Sequence, residues 1–170
     1  MIYVTQGHEK SIGLEVFIKS ILSLSQHKDI TLIASKKSLT DTLKSISISS
    51  EFTSGFLILE GFKVINYIEP NLEENTQTMA CLLKAIELAN SKDILLTLPS
   101  SKDQFIYKGI QLNGHTEFFI TYYNNLDLCM FFQRKQSNYL LLSDHIPLKQ
   151  VCSYITPQLI YNKVKTVLSY

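Results

Sequence analysis

Short apolar segments alternate with helical ones in the first part of the chain, and this alternation restricts the fold more than any other feature of the sequence. Three segments have the length and composition of buried strands: IYVT, ITLIAS and DILLTLP. Apolar residues recur at helical spacing in the segments between them: IGLEVFIKSILSLS, KKSLTDTLKSI and LEENTQTMACLLKAIELAN. Strands that alternate with helices predict an α/β fold with a mixed sheet.

Turn and cap residues predict the remaining elements. The segment FLILEGFKVINYI predicts a hairpin that turns at Glu60 and Gly61. A second hairpin is predicted from LDLCMFF and YLLLSDH, around QRKQSN, whereas SISISSEFTSG fits either a loop or a weak strand. Acidic residues are expected at the start of the first and third helices, where Glu15 and Glu73 stand. GHTEFFITYYNN predicts a helix, and TPQLIYNKVKTVL predicts another with Thr156 as N-cap and Pro157 at its first position.

Composition and charge exclude several classes of protein. A chain of 170 residues predicts one domain, residues 1–170, and its 45% hydrophobic content can fill a core. The formal net charge is +1 and no basic run is longer than Lys36-Lys37, so we expect no nucleic-acid partner. Arg134 is the only arginine, which excludes recognition of phosphate by clustered guanidinium groups within this chain.

Cysteine usage and hydropathy bear on the compartment. The three cysteines show no C-x-x-C spacing, which is typical of reduced thiols in the cytoplasm. No apolar run approaches the ~18 residues that a membrane-spanning helix needs, and the first residues lack the apolar core of a signal peptide. We therefore expect a cytoplasmic protein without a membrane partner.

Four loops join the end of a strand to a helix start, where α/β proteins bind ligands. They are QGHEKSIG, LPSSKD, NGHTEF and SDHIPLK. The first, with His8, fits an ordinary tight turn or a ligand loop, although it matches neither the dinucleotide nor the Walker pattern. In the second, Lys102 is either a solvated lysine or a ligand contact.

The other two loops leave the same choice open. In NGHTEF, Thr116 can cap a helix, or His115 and Thr116 can meet an anionic ligand with the help of the helix dipole. In SDHIPLK, His145 is either a structural residue or a metal ligand, and a catalytic zinc site needs three protein donors.

Taken together, the motifs VTQG–SIGLE, LLTLPSSK, NGHTEFF and DHIPLKQVCSYIT resemble the 4-hydroxythreonine-4-phosphate dehydrogenase family of pyridoxine biosynthesis. Family members carry G-D-P-x-G-I-G-P-E, T-G-P-x-x-K, P-G-H-T-E-F and T-H-I-P-L-K in the same order. The resemblance implies a three-layer α/β/α sandwich with a mixed sheet, related to the isocitrate and isopropylmalate dehydrogenases. It covers the N-terminal half of the family only, so it implies a truncated chain.

The resemblance also implies a function and site residues. Family members oxidise the alcohol of a small phosphorylated amino-acid-like substrate with NAD, aided by a divalent metal such as zinc or magnesium, and act as homodimers. By resemblance, Lys102 is a catalytic-site lysine that contacts phosphate or carboxylate, His115 and Thr116 bind substrate, and His145 is a metal ligand. No cofactor-binding residue is assigned.

Several positions depart from the family pattern. His8 stands where the family has aspartate, and Leu98 stands where it has glycine, which predicts an altered cleft. Three hypotheses follow for the chain. The first is one part of a dehydrogenase, complete only with a second polypeptide or as a piece of a longer gene product. The second is a shortened non-catalytic relative that binds a phosphorylated ligand or a partner protein, and the third is an enzyme that uses His8, His115 and His145 in a rebuilt site.

Overall fold

A mixed sheet of six strands organises the first part of the chain. The computed structural model describes residues 1–25, 29–73, 75–124, 128–144 and 146–169. In chain order the strands are β1 (Ile2–Thr5), β2 (Ile30–Ile33), β3 (Ser50–Thr53), β4 (Phe56–Leu59), β5 (Lys63–Ile68) and β6 (Ile94–Thr97). Their order in the sheet is β3-β4-β5-β2-β1-β6. The strands β5, β2, β1 and β6 are parallel, while β3 and β4 are antiparallel, which confirms the predicted mixed sheet.

Helices cover both faces of this sheet. They are α1 (Gly13–Ser23), α2 (Lys36–Ser45) and α3 (Gln77–Leu88). Val4 and Leu32, which are paired in the sheet register, share one buried cluster with residues of α1 and α2. Ile33, the residue after Leu32, points to the opposite face and packs with Cys81 and Ala85 of α3. The predicted three-layer α/β/α sandwich is therefore present.

The β6 edge of the sheet is only partly covered. Ile94 and Leu96 are 60% and 48% exposed, although they pair with Ile2 and Val4 on the face that α1 and α2 cover. The helices thus bury the centre of that face and leave its β6 margin open.

Helix starts follow local chemistry, with one exception. Glu15 lies in the first turn of α1, as predicted, and accepts a hydrogen bond from Lys19 over 2.6 Å. The helix α3, in contrast, begins at Gln77 with no acidic residue in its first turn, so the prediction of acidic residues at its start was wrong. Glu73 instead donates its backbone N–H to the Asn71 side chain over 3.0 Å, in a local turn before the helix.

The hairpin between β4 and β5 turns at residues whose backbone adopts the left-handed conformation. Between β4 and β5, Glu60 and Gly61 have φ angles of 52° and 72°, which confirms the predicted turn. The Ser-rich segment forms strand β3, one of its two expected alternatives. The two-residue strands β7 (Ile106–Tyr107) and β8 (Ile110–Gln111) were not predicted, because each is too short to show a periodic pattern.

The backbone contacts divide the chain into two compact units, Met1–Gly114 and His115–Tyr170. The expectation of a single domain stays a prediction. The second unit contains α4 (His115–Tyr122), β9 (Phe131–Arg134), β10 (Ser137–Leu140), α5 (Leu148–Tyr154) and α6 (Pro157–Leu168). The strands β9 and β10 form the predicted hairpin with a tighter turn, whereas α5 was missed.

The last helix starts as its sequence predicts. The Thr156 hydroxyl oxygen accepts a hydrogen bond from Leu159 N–H over 3.1 Å, and Pro157 occupies the first position of α6. Among the helices in the described ranges, none is long and apolar enough to cross a membrane.

Candidate functional site

The sheet reverses its winding direction between β1 and β6. The chain leaves β1, crosses one face through α1 and returns in β2, while it reaches β6 from the opposite face through α3. In an open α/β sheet, such a switch point leaves a crevice beyond the carboxyl ends of the two strands, and ligands bind there. Residues 6–12 and 98–101, which follow β1 and β6, border this position.

The two loops at the switch point are held in direct backbone contact. Leu98 N–H donates to Thr5 O over 3.0 Å, and His8 N–H donates to Pro99 O over 3.2 Å. A Cβ atom added to Gly7 would lie 1.9 Å from Pro99 O, a distance that no side chain can occupy. Gly7 is therefore required for the close approach of the two loops.

Leu98, which replaces a glycine of the family pattern, is buried in the core. It is 8% exposed and belongs to the cluster that contains Leu14 and Phe17 of α1. A Cβ added to Gly13 would lie 3.0 Å from Leu98 Cβ. The added bulk of the leucine is thus taken up between the loop and α1.

His8 has a defined tautomer at this edge. Its Nδ1 accepts a hydrogen bond from Lys10 N–H over 2.9 Å, so in the neutral imidazole the proton is on Nε2. Asp103 lies within electrostatic reach. Its pKa is lowered chiefly by the neighbouring Ser101 side chain, then by a hydrogen bond from the Gln104 amide, with a smaller contribution from His8. The loop after β1 therefore presents an N–H donor, and the loop after β6 presents a carboxylate.

Lys102 projects from a rigid backbone. It begins a short 3-10 helix, Lys102–Gln104, and its side chain is exposed. The Gln111 side-chain amide donates a hydrogen bond to Lys102 O. The structure thus places His8 and Lys102, both named from the sequence, on the two loops that meet at the switch point.

Sequence reasoning missed a buried amide at the same edge. Gln6 is 1% exposed, and its Oε1 accepts a hydrogen bond from Ser35 N–H over 2.9 Å. Its Nε2 has no acceptor among the described residues. A polar residue directly after the apolar strand β1 was the available signal, but its partner is 29 positions away.

At the start of α4, in the second unit, three polar residues precede two aromatic ones. Phe118 is fully buried, and its ring centroid lies 5.6 Å from that of Tyr122, one turn further along the same helix. His115 is half-buried and Thr116 is exposed in the first turn. Burial lowers the pKa of His115 below its ordinary value of 6.5, so the imidazole is neutral at pH 7.

Few of the described residues could hold the metal and the cofactor that the resemblance implies. His145, the predicted metal ligand, lies outside the described residues. Within the described ranges, no three His, Cys, Asp or Glu side chains are grouped to hold a metal ion. The loop after β1 carries neither the dinucleotide nor the Walker pattern, so no residue is assigned to NAD.

The fold defines this chain as an α/β/α protein built on a doubly wound sheet, in which the switch point is the position where such proteins bind ligands. The model of the family "Pyridoxal phosphate biosynthetic protein PdxA" matches residues 9–169. The chain therefore belongs to the PdxA family.

Curated relatives and a solved structure agree with this assignment. Two proteins named 4-hydroxythreonine-4-phosphate dehydrogenase, from Sulfurihydrogenibium sp. (strain YO3AOP1) and Aquifex aeolicus (strain VF5), are each 25% identical over 96% of this chain and 55% of their own length. A structure described as a 4-hydroxythreonine-4-phosphate dehydrogenase from Salmonella typhimurium shares the fold, with a TM-score of 0.70 and 19% identity. It is matched over 97% of this chain and 58% of its own. The chain spans about half the length of the curated relatives it matches.

Gly7→Ala should destabilise the protein by about 2–3 kcal/mol, because a well-packed backbone contact has no room for the methyl group. Gly61→Ala is the matched control. It has a φ of 72° and no atom within 4 Å, so only backbone strain of about 1 kcal/mol applies. Urea denaturation followed by circular dichroism measures both, and equal losses would contradict the close approach.

Acid should destabilise the protein partly through His115. Because the folded pKa is lowered, the unfolded chain binds the proton first, so the contribution to stability is complete above pH 6.5 and is lost as the pH falls below it. His115→Gln should remove this component. Unfolding free energies measured between pH 7.5 and pH 5 (values chosen around the ordinary histidine pKa) should converge toward low pH for the two proteins, and parallel curves would disprove the effect.

Proposed function

We propose that this chain carries part of the substrate-binding machinery of a 4-hydroxythreonine-4-phosphate dehydrogenase. The observation that supports the proposal most directly is the position of Lys102 and His8 on the two loops that meet at the switch point. Membership of the PdxA family supplies the substrate class, a small phosphorylated hydroxy amino acid.

Each proposed residue has a role that its surroundings support. The ammonium group of Lys102 binds the phosphate or carboxylate of the substrate, because its side chain is exposed on a fixed backbone. In the second unit, His115 and Thr116 keep the substrate-binding role that the resemblance implies; they lie at the start of α4, where the helix dipole favours negative charge. His8 offers its Nε2 proton as a further donor.

The redox chemistry of the proposed reaction would be supplied by the cofactor and the metal that the resemblance implies. When bound, NAD would accept the hydride of the alcohol and a divalent metal such as zinc or magnesium would polarise that alcohol, with His145 as the one metal ligand that the resemblance implies. Because the chain spans about half of its relatives, we propose that the complete reaction needs the rest of the family fold, supplied by a second polypeptide or within a longer gene product. We retain a cytoplasmic location as a prediction.

A non-catalytic relative that binds a phosphorylated ligand or a partner protein is the second candidate. One observation favours it: His8 replaces the aspartate of the family pattern in the loop after β1. Under this proposal Lys102 still binds the anionic group, while NAD and metal do not bind. The rebuilt site of His8, His115 and His145 stays a prediction, since His145 lies outside the described residues.

Calorimetric titration with 4-hydroxythreonine-4-phosphate, with and without zinc or magnesium, tests both candidates. Lys102→Met should weaken binding about 10- to 100-fold, because a charged hydrogen bond contributes roughly 1.5–3 kcal/mol. His115→Ala should weaken it as well. Lys92→Met is the matched control, since Lys92 is an exposed lysine before the amino end of β6, away from the crevice.

The pattern of binding separates the candidates. Metal-dependent binding that is lost in His145→Ala, together with binding of NAD, supports the dehydrogenase. Metal-independent binding without NAD supports the non-catalytic relative. A folded chain that binds none of these compounds would contradict the role of Lys102 in both.

We also propose that the second unit associates with a second copy of this chain through α6. Pro157, Ile160, Tyr161, Val164 and Leu168 form an exposed apolar stripe on this helix, and Leu168 is 80% exposed. Exposed apolar surfaces of this kind are typical of contact sites. The opposite side of α6 is engaged within the unit, since Lys163 Nζ donates to Leu128 O over 2.8 Å.

Sedimentation velocity at micromolar concentration should show a dimer for the wild-type chain and a monomer for Val164→Glu, because a carboxylate in an apolar contact is costly to desolvate. Asn162→Glu adds the same charge away from the stripe and should stay dimeric. A monomeric wild-type chain would refute the association.

A further inference from the structure

Two hydroxyl groups on the start of α3 hold the loop that carries Lys102. Thr78 Oγ1 lies 2.6 Å from Ser100 Oγ, a hydrogen bond in which either hydroxyl can donate. Thr76 Oγ1 donates a hydrogen bond to Gln104 O. Ser100 and Gln104 are two residues before and two residues after Lys102, so the helix holds the loop on both sides of the lysine.

Thr76 makes this contact in place of the bond that its position would ordinarily provide. It is the N-cap residue of α3, yet no side-chain capping hydrogen bond is formed there. At the N-caps of α2 and α6, Ser35 and Thr156 do accept a backbone N–H of their own helix. The hydroxyl of Thr76 therefore makes a hydrogen bond to the loop and no capping hydrogen bond to its own helix.

A third contact acts on Lys102 directly. The Gln111 side chain donates to Lys102 O, and Leu112 N–H donates to Phe105 O over 2.8 Å. Phe105 is 2% exposed, which fixes the end of the same segment in the interior. The backbone of residues 100–105 is thus tied to α3 and to residues 111–112, while the Lys102 side chain remains exposed.

We infer that Thr76 and Thr78 are positioning residues that set the place from which Lys102 meets an anionic ligand. The inference rests on the proposed function, in which Lys102 binds phosphate or carboxylate. A fixed backbone leaves only the side-chain torsions to be ordered on binding, so preorganisation strengthens the contact. Removing a hydroxyl releases the loop and weakens the contact without touching the ligand.

A double-mutant cycle separates positioning from general stability. Thr78→Val keeps the shape of the side chain and removes its hydroxyl, and it should weaken binding of 4-hydroxythreonine-4-phosphate roughly fivefold in calorimetry. In a Lys102→Met background, the same change should have no further effect, because Thr78 acts through the lysine. Thr78→Ser restores the hydroxyl and should restore affinity. Thr76→Val should behave as Thr78→Val does.

Amide hydrogen exchange gives a second readout that needs no ligand. Thr78→Val should speed exchange at residues 101–104, while the amides of β1 and β2 keep their wild-type rates. Unchanged exchange in the loop would overturn the inference. So would a loss of affinity that is equal in the wild-type and Lys102→Met backgrounds, or no loss at all. A wild-type chain that does not bind the compound would instead contradict the proposed function on which the inference rests.

Discussion

The backbone contact between Gly7 and Pro99 is the constraint on which the rest of the candidate site depends. It sets the separation of the two loops at the switch point, because the space that a Cβ of residue 7 would fill is taken by a carbonyl oxygen. The hydrogen bond from His8 N–H to Pro99 O forms across the same contact. A bulkier residue would push the loop after β6 outward and would carry Lys102 with it.

Burial and polarity are divided between the faces and the end of the sheet. Leucine, isoleucine and phenylalanine side chains fill the layers between the strands and their helices. At the carboxyl ends of the strands the buried groups become polar, as with Gln6 and Ser35 after β1 and β2 and with Thr78 at the start of α3. Each makes a hydrogen bond to a different element, so the strand ends are cross-linked by directional bonds where the apolar core stops. A crevice at this edge can therefore be polar without loosening the sheet.

The elements that the sequence predicted are those whose start or turn is determined by residues adjacent in the sequence. Thr156 and Pro157 predict the start of α6, because the cap and the first helical residue are adjacent in the sequence. Glu60 and Gly61 likewise predict a hairpin turn. What the sequence could not show depends on partners far along the chain. Thr76 and Thr78 hold loop residues that are 28 and 22 positions away, and nothing near either threonine indicates that contact. The short strands β7 and β8 and the seven-residue α5 hold too few residues to display a period.

The partly covered β6 margin has a consequence for how such a sheet can change in size. In the described part of the chain, β6 is the terminal strand on its side, with Ile94 and Leu96 exposed on one face. A strand laid beside it would find backbone groups to pair with and apolar side chains to cover, while every ladder bond of β1, β2 and β5 stayed in place. The sheet can thus be extended at its β6 edge. An insertion or a fused segment that adds a strand there would enlarge the protein without any repacking of its interior.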